Sequence, residues 1–253
     1  MPSIEKIVRK KFVDAIEDFW MLQNWDKVLI AVSGWKDSLV LLDLFVWLRD
    51  YYKKRNLDLK AVHIVPQVKG LNSIEGELEK IFKKYDIDYI IHHMKIPSDS
   101  KVKDGLKKAK SCQRCAYSRR ISLFKLAEKL WYNKIAYGHH MDDAIDTLFI
   151  NVDVWRNLKI LMPKHHINKC DLDLIRPLTY LRENEIVSYC KKFNIKPVQY
   201  ICPIWKKGNR ERIRKIVDEL EEKIPNFVEK MFEAYIKRCK ELDEIEARQK
   251  YWK

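Results

Sequence analysis

The chain has 253 residues, of which 47% are hydrophobic, so wholesale disorder is excluded and one large domain with additions is favoured. No apolar run reaches the roughly 20 residues of a membrane-spanning helix, and the charged amino terminus differs from the apolar core of a signal peptide. We therefore expect a cytoplasmic protein with no membrane partner. The net charge of +14, from 50 basic and 36 acidic residues, favours a polyanionic partner, although dense Lys and Glu is also common in heat-adapted proteins.

The predicted elements alternate between helix and strand along the chain. Strands are predicted at 27–32, 57–65, 87–92, 134–137 and 172–175, and helices at 1–20, 38–47, 73–84, 113–130, 141–152, 182–193 and 207–250. A basic loop is predicted at 97–112. This alternation is typical of an α/β fold with a doubly wound, mostly parallel sheet and helical N- and C-terminal additions. We expect an N-terminal helical segment at 1–24, a catalytic domain at 25–200 and a C-terminal helical extension at 201–253.

The segment SGWKDS joins the first predicted strand to a helix. In parallel sheets, ligands bind beyond the carboxyl ends of strands, and the N–H groups of a helix N-terminus suit phosphate. Ser33 and Ser38 can donate hydroxyl hydrogen bonds, and Gly34 permits a tight turn. Lys36 supplies positive charge, and Asp37 can hold Mg²⁺ or cap the helix. The sequence therefore predicts a phosphate-binding loop, with an ordinary strand–turn–helix connection as the alternative.

Two of the six cysteines, Cys112 and Cys115, are spaced to bind one metal. The pair suits zinc, an iron–sulfur cluster or redox exchange. Cys202, followed by proline, is a candidate third ligand of a cluster. The alternative is a structural zinc site with four ligands, which His139, His140 or the pair His165 and His166 would complete. An iron–sulfur cluster is favoured because no second CxxC motif is present to complete a site with four cysteines.

A segment with two adjacent acids, GHHMDDAIDT, follows the fourth predicted strand and begins a helix. Asp142 and Asp143 could bind Mg²⁺ or orient a nucleophile. In isolation, however, two acids in the first turn of a helix are explained by their favourable interaction with the helix dipole.

Taken in order, the motifs SGWKDS, CQRC, GHHMDDAIDTLFIN and RPLTYLRENEI, with a late cysteine, resemble the tRNA 2-thiocytidine synthetase family of PP-loop proteins. The resemblance extends over about residues 25–237 and implies the adenine-nucleotide α-hydrolase (PP-loop Rossmann-like) fold. It implies an enzyme that uses ATP and Mg²⁺ to adenylate a pyrimidine carbonyl of tRNA, expected to be C2 of a cytidine, and then replaces its oxygen with sulfur.

The resemblance also assigns the groups at the site. It implies a [4Fe–4S] cluster held by Cys112, Cys115 and Cys202, with the fourth iron free to carry sulfide. Asp37, Arg119 and Asp142 are expected around the reacting centre, and with the three cysteines they form the predicted catalytic set. The nucleotide site is assigned to Ala31, Val32, Ser33, Gly34, Trp35, Lys36, Asp37, Ser38, His63, Ile64, Gly138, His139 and Asp143.

The implied partners are tRNA and a sulfur donor, either sulfide or a carrier protein, and the sequence also allows a homodimer. Two positions depart from the family pattern: Trp35 replaces the second glycine of the loop, and Asp146 replaces a glutamate. Three alternative functions are a PP-loop enzyme acting on a small molecule, a thiolase of the 2-thiouridine type, and a non-catalytic binding module in which Trp35 has disabled the loop.

Overall fold

A six-stranded sheet forms the centre of the fold in this computed structural model, which describes residues 2–51, 56–68, 71–95, 104–198 and 209–251, with side chains except at 104–113 and 240–251. The strands are β1 (Lys27–Ala31), β2 (Asp58–Pro66), β3 (Asp88–Met94), β4 (Lys134–Ala136), β5 (Lys164–Ile167) and β6 (Leu172–Ile175). They are arranged in the order β3-β2-β1-β4-β6-β5. All neighbouring pairs are parallel except β5 and β6. The predicted α/β class with a mostly parallel sheet is confirmed.

Eight α-helices accompany the sheet in the described part of the chain. They are α1 (Ile4–Asp18), α2 (Lys36–Tyr51), α3 (Glu75–Lys84), α4 (Asp104–Leu130), α5 (Met141–Ile150), α6 (Glu183–Phe193), α7 (Asn209–Lys223) and α8 (Phe227–Tyr251). A π-helical turn, Asn151–Trp155, extends α5. The chain divides into two compact units. Met1–His140 with Met162–Lys206 forms the first, and Met141–Leu161 with Lys207–Lys253 forms the second.

Both faces of the sheet are buried in the first unit, because successive side chains of a strand point to opposite faces. Val28 and Ile30 of β1 pack into one core together with residues of α1, α2, α3 and α6. Leu29, between them, packs into a second core with Leu123 and Ala127 of α4. The sheet therefore has helices on both faces, as a doubly wound fold requires.

Two segments differ from the sequence-based expectation. α4 begins at Asp104, so the part of the predicted loop from residue 104 onward is helical. Its Lys, Leu and Ala residues are good helix formers, and Gly105 lies in the first turn, where it is tolerated. The short edge strand β5 was not predicted, because KHHI lacks a clear hydrophobic alternation and pairs only with β6.

The second unit packs α5, α7 and α8 together around a small apolar core. Phe149 and Phe227 have ring centroids 6.2 Å apart, and the Tyr235 hydroxyl donates to the Leu158 carbonyl at 2.9 Å. Ile213 and Val217 of α7 are buried. Over the residues that the structure describes, no helix is both long and apolar enough to cross a membrane.

Candidate active site

The strand order reverses between β1 and β4, and this is the point where open α/β sheets bind ligands. The loop 32–35 leaves the carboxyl end of β1, and the segment 137–140 leaves the carboxyl end of β4. The two connections touch: a Cβ atom added at Gly138 would lie 2.9 Å from both the carbonyl carbon and the carbonyl oxygen of Asp37. Glycine at 138 thus lets the second connection lie directly against the first turn of α2.

Hydrogen bonds between two serines fix the loop after β1. The Ser38 hydroxyl accepts from the Ser33 backbone N–H at 3.1 Å and lies 3.1 Å from the Ser33 hydroxyl, which donates to it. Ser38 in turn donates to the Trp35 carbonyl at 2.8 Å. The Ser38 hydroxyl therefore holds the loop closed and does not project into solvent. The first N–H groups of α2 have no acceptor within the helix, so they remain available to a ligand.

Gly34 is the left-handed residue of the loop, with φ of +94°. A Cβ there would lie 3.0 Å from Ile74 Cδ1, and the Gly34 carbonyl accepts from the Val198 N–H at 2.9 Å. Trp35, by contrast, does not have a positive φ, and its side chain is 58% exposed. The bulky residue is therefore accommodated without backbone strain, because the turn depends on Gly34 alone.

Charged groups surround the first turn of α2. The Lys36 ammonium lies 3.0 Å from Asp37 Oδ1 and 2.9 Å from Glu183 Oε1. Burial opposes the charge of Lys36, but the two carboxylates outweigh it and raise its pKa. His140 Nε2 lies 3.8 Å from Asp37 Oδ1. Glu183 was not singled out by sequence reasoning, although it lies in the RPLTYLRENEI motif on which the resemblance rests.

His63 is fixed at the carboxyl-terminal half of β2 and is 3% exposed. Its Nδ1 lies 2.7 Å from the Val32 carbonyl, so Nδ1 carries the proton. Burial lowers the pKa of His63, which keeps the ring neutral. Its other nitrogen, Nε2, is buried with no hydrogen-bond partner among the described residues and is a lone-pair acceptor. The side chain of Ile64, also predicted for the nucleotide site, packs in the core beneath α4.

The cysteine motif lies on α4, where positions three apart share a helix face. Cys115 is a half-buried free thiol, and Arg119 Nη2 donates to its Sγ at 3.5 Å, one helical turn along. Cys112 is part of α4, but only its backbone is described, and Cys202 lies outside the described residues. Among the described side chains, no group of three or more His, Cys, Asp or Glu could hold a metal.

The segment after β4 places a stacked pair before α5. Tyr137 and His139 have ring centroids 5.6 Å apart and an interplanar angle of 30°. Burial raises the pKa of Tyr137 to about 12, so the hydroxyl stays protonated.

The acids of α5 are described within the second unit. Asp142 is half-buried, whereas Asp143 and Asp146 are buried. Asp143 Oδ1 lies 3.5 Å from Arg210 Nη2, and Asp146 Oδ2 lies 2.8 Å from Arg214 Nη2. Sequence reasoning did not predict that arginines of α7 pair with these acids. Asp146 and Arg214 are 68 positions apart, and no local signal in the sequence joins residues at that distance.

Comparison with known proteins identifies relatives over most of the chain. Residues 4–221 match the model of the PP-loop domain family. The tRNA-cytidine(32) 2-sulfurtransferase of Histophilus somni is 32% identical over 238 residues, which are 92% of this chain and 73% of that protein. The protein of the same name from Chromohalobacter salexigens is 32% identical over 239 residues, covering 92% of this chain and 81% of the relative.

Two solved structures share the fold. The U34-tRNA thiolase NcsA from Methanococcus maripaludis, solved with its [4Fe–4S] cluster, superposes with a TM-score of 0.75 at 22% identity, covering 94% of this chain and 79% of that one. The NAD⁺ synthetase of Burkholderia pseudomallei superposes with a TM-score of 0.52 at 9% identity, covering 87% of this chain and 92% of that one. At these identities the superpositions support the fold alone.

Proposed function

The chain belongs to the PP-loop domain family, and on that premise we propose that it is an ATP-dependent tRNA sulfurtransferase. It adenylates a pyrimidine carbonyl and replaces the oxygen with sulfur. The base is a cytidine and the position is C2, as the names of the 32% identical relatives suggest for this chain. The observation that carries the proposal is the phosphate loop at the reversal of strand order, held shut by Ser33 and Ser38.

ATP binds with its phosphates at the amino end of α2. The positive end of the helix dipole and its first N–H groups stabilise phosphate charge there. Lys36, whose ammonium is held by Asp37 and Glu183, adds a full positive charge beside the same turn. Asp37 is the acid of this turn that can hold Mg²⁺ against the phosphates, and Asp142 of α5 is the second candidate ligand.

The adenine lies beyond the carboxyl ends of β1 and β2, near Ala31, Val32 and His63. Neutral His63 offers a buried acceptor at Nε2, because its Nδ1 proton is bound to the Val32 carbonyl. The amino group at C6 of adenine can donate to that nitrogen, whereas the carbonyl at C6 of guanine cannot. This preference favours ATP over GTP.

The reaction begins when the carbonyl oxygen of the base attacks the α-phosphorus and pyrophosphate leaves. Lys36 and the amino end of α2 stabilise the negative charge that accumulates on the departing pyrophosphate. Because water would hydrolyse the adenylated base, the site must be closed, and the base must leave the RNA stack to reach it. A sulfur nucleophile then attacks the activated carbon and AMP departs, which leaves sulfur in place of oxygen.

The described part of the CQRC motif fits a cluster ligand. Cys115 is a free, half-buried thiol that receives a hydrogen bond from the Arg119 guanidinium, and a cation beside a thiolate offsets the negative charge of a cluster. We assign Cys112, Cys115 and Cys202 as the ligands of a [4Fe–4S] cluster. When bound, a cluster with three protein ligands supplies an open iron that can carry sulfide. In this assignment Arg119 holds the Cys115 sulfur in position.

The adenylation step is tested with ATP labelled at the α-phosphate, which separates AMP from ADP, together with an assay of released pyrophosphate. We expect cluster-loaded wild-type protein to form AMP and pyrophosphate in equal amounts when tRNA is present. Asp37→Asn should lower the rate by roughly 100-fold, in the range of a lost charge-stabilising group. Formation of ADP and phosphate instead would contradict the proposal, because it places bond cleavage at the γ-phosphate.

The cluster assignment is tested without reference to activity. Protein purified in the absence of oxygen should be brown and contain about four irons per chain. Cys115→Ala should lose the colour and the iron, whereas Cys170→Ala, at a half-buried cysteine between β5 and β6, should keep both. A colourless wild-type protein with one zinc per chain would remove the cluster from the proposal and leave the adenylation step standing.

A further inference from the structure

Two acids of α5 are held by two arginines of α7 within the second unit. The Arg214 guanidinium contacts Asp146 Oδ2 twice, through Nε at 3.0 Å and Nη2 at 2.8 Å. The same Nη2 lies 3.9 Å from Asp143 Oδ1, which Arg210 approaches at 3.5 Å. Arg214 therefore bridges two carboxylates that lie one turn apart on the same face of α5. We call Arg214, Asp146 and Asp143 the α5 clamp.

The α5 clamp is buried on the acid side and half-buried on the arginine side. The side chain of Asp146 is 2% exposed, that of Asp143 is 12% exposed, and that of Arg214 is 32% exposed. Burial raises the pKa of Asp146 to about 6, and the opposing effect of Arg214 and Arg210 does not cancel it. A buried ion pair of this kind contributes little net stability, because desolvation of the charges offsets their attraction.

Apolar contacts already hold the helices of this unit together. Ile213 and Val217 are buried on α7, and Phe149 of α5 packs against Phe227 at the start of α8. The α5 clamp is therefore one of several contacts within this unit, alongside its apolar packing. Apolar side chains allow a helix to rotate or slide slightly. A guanidinium that donates two hydrogen bonds to Asp146 and lies 3.9 Å from Asp143 restricts the rotation of α5.

Asp142 is the neighbour of Asp143 in the first turn of α5, and successive residues of a helix are turned by about 100°. Fixing Asp143 and Asp146 therefore fixes the direction of Asp142. We propose that Arg214 is a positioning residue, which sets the rotation of the first turn of α5 and with it the direction of the Asp142 carboxylate. The role of Asp142 in this inference rests on the proposed function, whereas the existence of the α5 clamp does not.

The test compares Arg214→Met, which keeps the aliphatic length, with Arg214→Lys, which keeps a charge but provides a single point contact. The matched control is Arg212→Met. Arg212 also lies on α7 and pairs with Asp153 of the π-helical turn, but contacts neither acid of the clamp. The readouts are kcat and KM for ATP, Tm, and hydrogen exchange of the first-turn amides of α5.

We expect Arg214→Met to lower kcat by roughly 10- to 100-fold with KM for ATP changed less than about threefold, as for a lost orientation of a reacting group. Arg214→Lys should recover part of the loss. Exchange in the first turn of α5 should accelerate in Arg214→Met and not in Arg212→Met, while Tm stays within about 5 °C of wild type.

Two results would overturn the inference. In the first, Arg214→Met retains the kcat and the exchange rates of wild type. In the second, kcat falls only in proportion to a loss of Tm and Arg214→Lys restores nothing, which would make the pair a support for folding. If wild-type protein forms no AMP at all, the proposed function fails, and the exchange measurement alone still decides whether Arg214 fixes α5.

Discussion

Gly138 is the residue at which the two connections of the site meet, and its missing side chain matters more than its flexibility. A Cβ at this position would lie 2.9 Å from the Asp37 carbonyl carbon and 3.0 Å from the Ser38 backbone nitrogen. Both are backbone atoms, so they cannot rotate away as a side chain would. We predict that Gly138→Ala displaces the first turn of α2 and lowers kcat/KM for ATP roughly 10- to 100-fold.

Gly76 provides the matched control for that change. It lies in the first turn of α3, and a Cβ there would meet nothing within 4 Å. Gly76→Ala should leave kcat/KM unchanged and should not lower the free energy of unfolding, because alanine is a better helix former than glycine and has room at this position. Steady-state kinetics and urea unfolding of both variants check the pair. Equal kinetics for Gly138→Ala and wild type would show that the contact with Asp37 is not part of the nucleotide site.

At the residue scale, the sequence predicted kinds of groups better than their contacts. The SGWKDS motif indicates a phosphate loop because its serines, glycine and lysine suit phosphate, and the structure shows those serines bound to each other. The partnership of Lys36 with Glu183 could not be predicted, because it joins residues 147 positions apart. Whether Trp35, in place of the second glycine, strains the loop could be decided only from the structure. Gly34 is the one loop residue with a positive φ, so Trp35 is not strained.

An ion network lies at the amino ends of β1, β4 and β6, opposite the phosphate loop, and includes two side chains of the antiparallel strand β5. The buried ammonium of Lys134 lies 2.9 Å from Asp173 Oδ2 and 3.5 Å from Asp26 Oδ2. Lys164 and His166 of the edge strand β5 also contact Asp173, at 3.1 Å and 2.9 Å. The network thus connects β1, β4, β5 and β6.

The pKa of Asp173 gives this network a measurable pH dependence. Burial alone raises the pKa, but hydrogen bonds from Lys134, His166 and Lys164 outweigh it and lower the pKa to about 2, from 3.8. A carboxyl whose pKa is lower in the folded state stabilises the fold above the unfolded value, and this contribution is lost as the pH falls from about 4 to 2. At about 1.4 kcal/mol for each unit, the contribution is about 2 to 3 kcal/mol at neutral pH.

We predict that Asp173→Asn lowers the free energy of unfolding by about 2 to 3 kcal/mol at pH 7, with a deficit that shrinks below pH 4. The control is Asp171→Asn, because the side chain of Asp171 is 98% exposed and its approach to His166 is 3.6 Å. Urea unfolding between pH 7 and pH 3 measures both. A deficit that is the same at every pH would mean that Asp173 acts through shape and not through charge.

At the scale of elements, local patterns predicted the buried strands well. The predicted span of β6 equals the observed one, Leu172–Ile175, because a short apolar strand in the middle of a sheet has a clear signal. The edge strand β5 has no such signal, since it has one neighbour and its two histidines are exposed, which leaves little hydrophobic pattern. The amino-terminal extent of α4 was underestimated, because lysines between apolar residues suit a helix as well as a loop.

The net charge of the whole chain predicts how strongly its binding to tRNA depends on salt. A protein with a net charge of +14 that binds tRNA neutralises phosphates and releases counterions. We expect the affinity for tRNA to fall at least about tenfold between 50 and 200 mM salt, as several phosphate contacts require. Fluorescence anisotropy of labelled tRNA over this range measures the slope. An affinity that does not depend on salt would assign the charge to solubility and favour a small-molecule substrate.

The fold and the family were predictable from the whole chain, because the order of four motifs is far more specific than any one of them. The match to the PP-loop domain over residues 4–221 confirms that reading. The grouping of α5 with α7 and α8 was not foreseen, since α5 is covalently continuous with the segment after β4. No local pattern encodes contacts between helices so distant in sequence.

The central claim is that ATP cleavage is used to place sulfur on a cytidine of tRNA, and the most direct measurement is the nucleoside content of tRNA after the reaction. Cluster-loaded protein is incubated without oxygen with unmodified tRNA, ATP and sulfide, and the digested tRNA is analysed by mass spectrometry. We predict 2-thiocytidine, formed only when ATP is present and in the same molar amount as AMP. AMP formation that continues without tRNA and yields no thiolated nucleoside would contradict the claim, and would leave a PP-loop enzyme with another substrate.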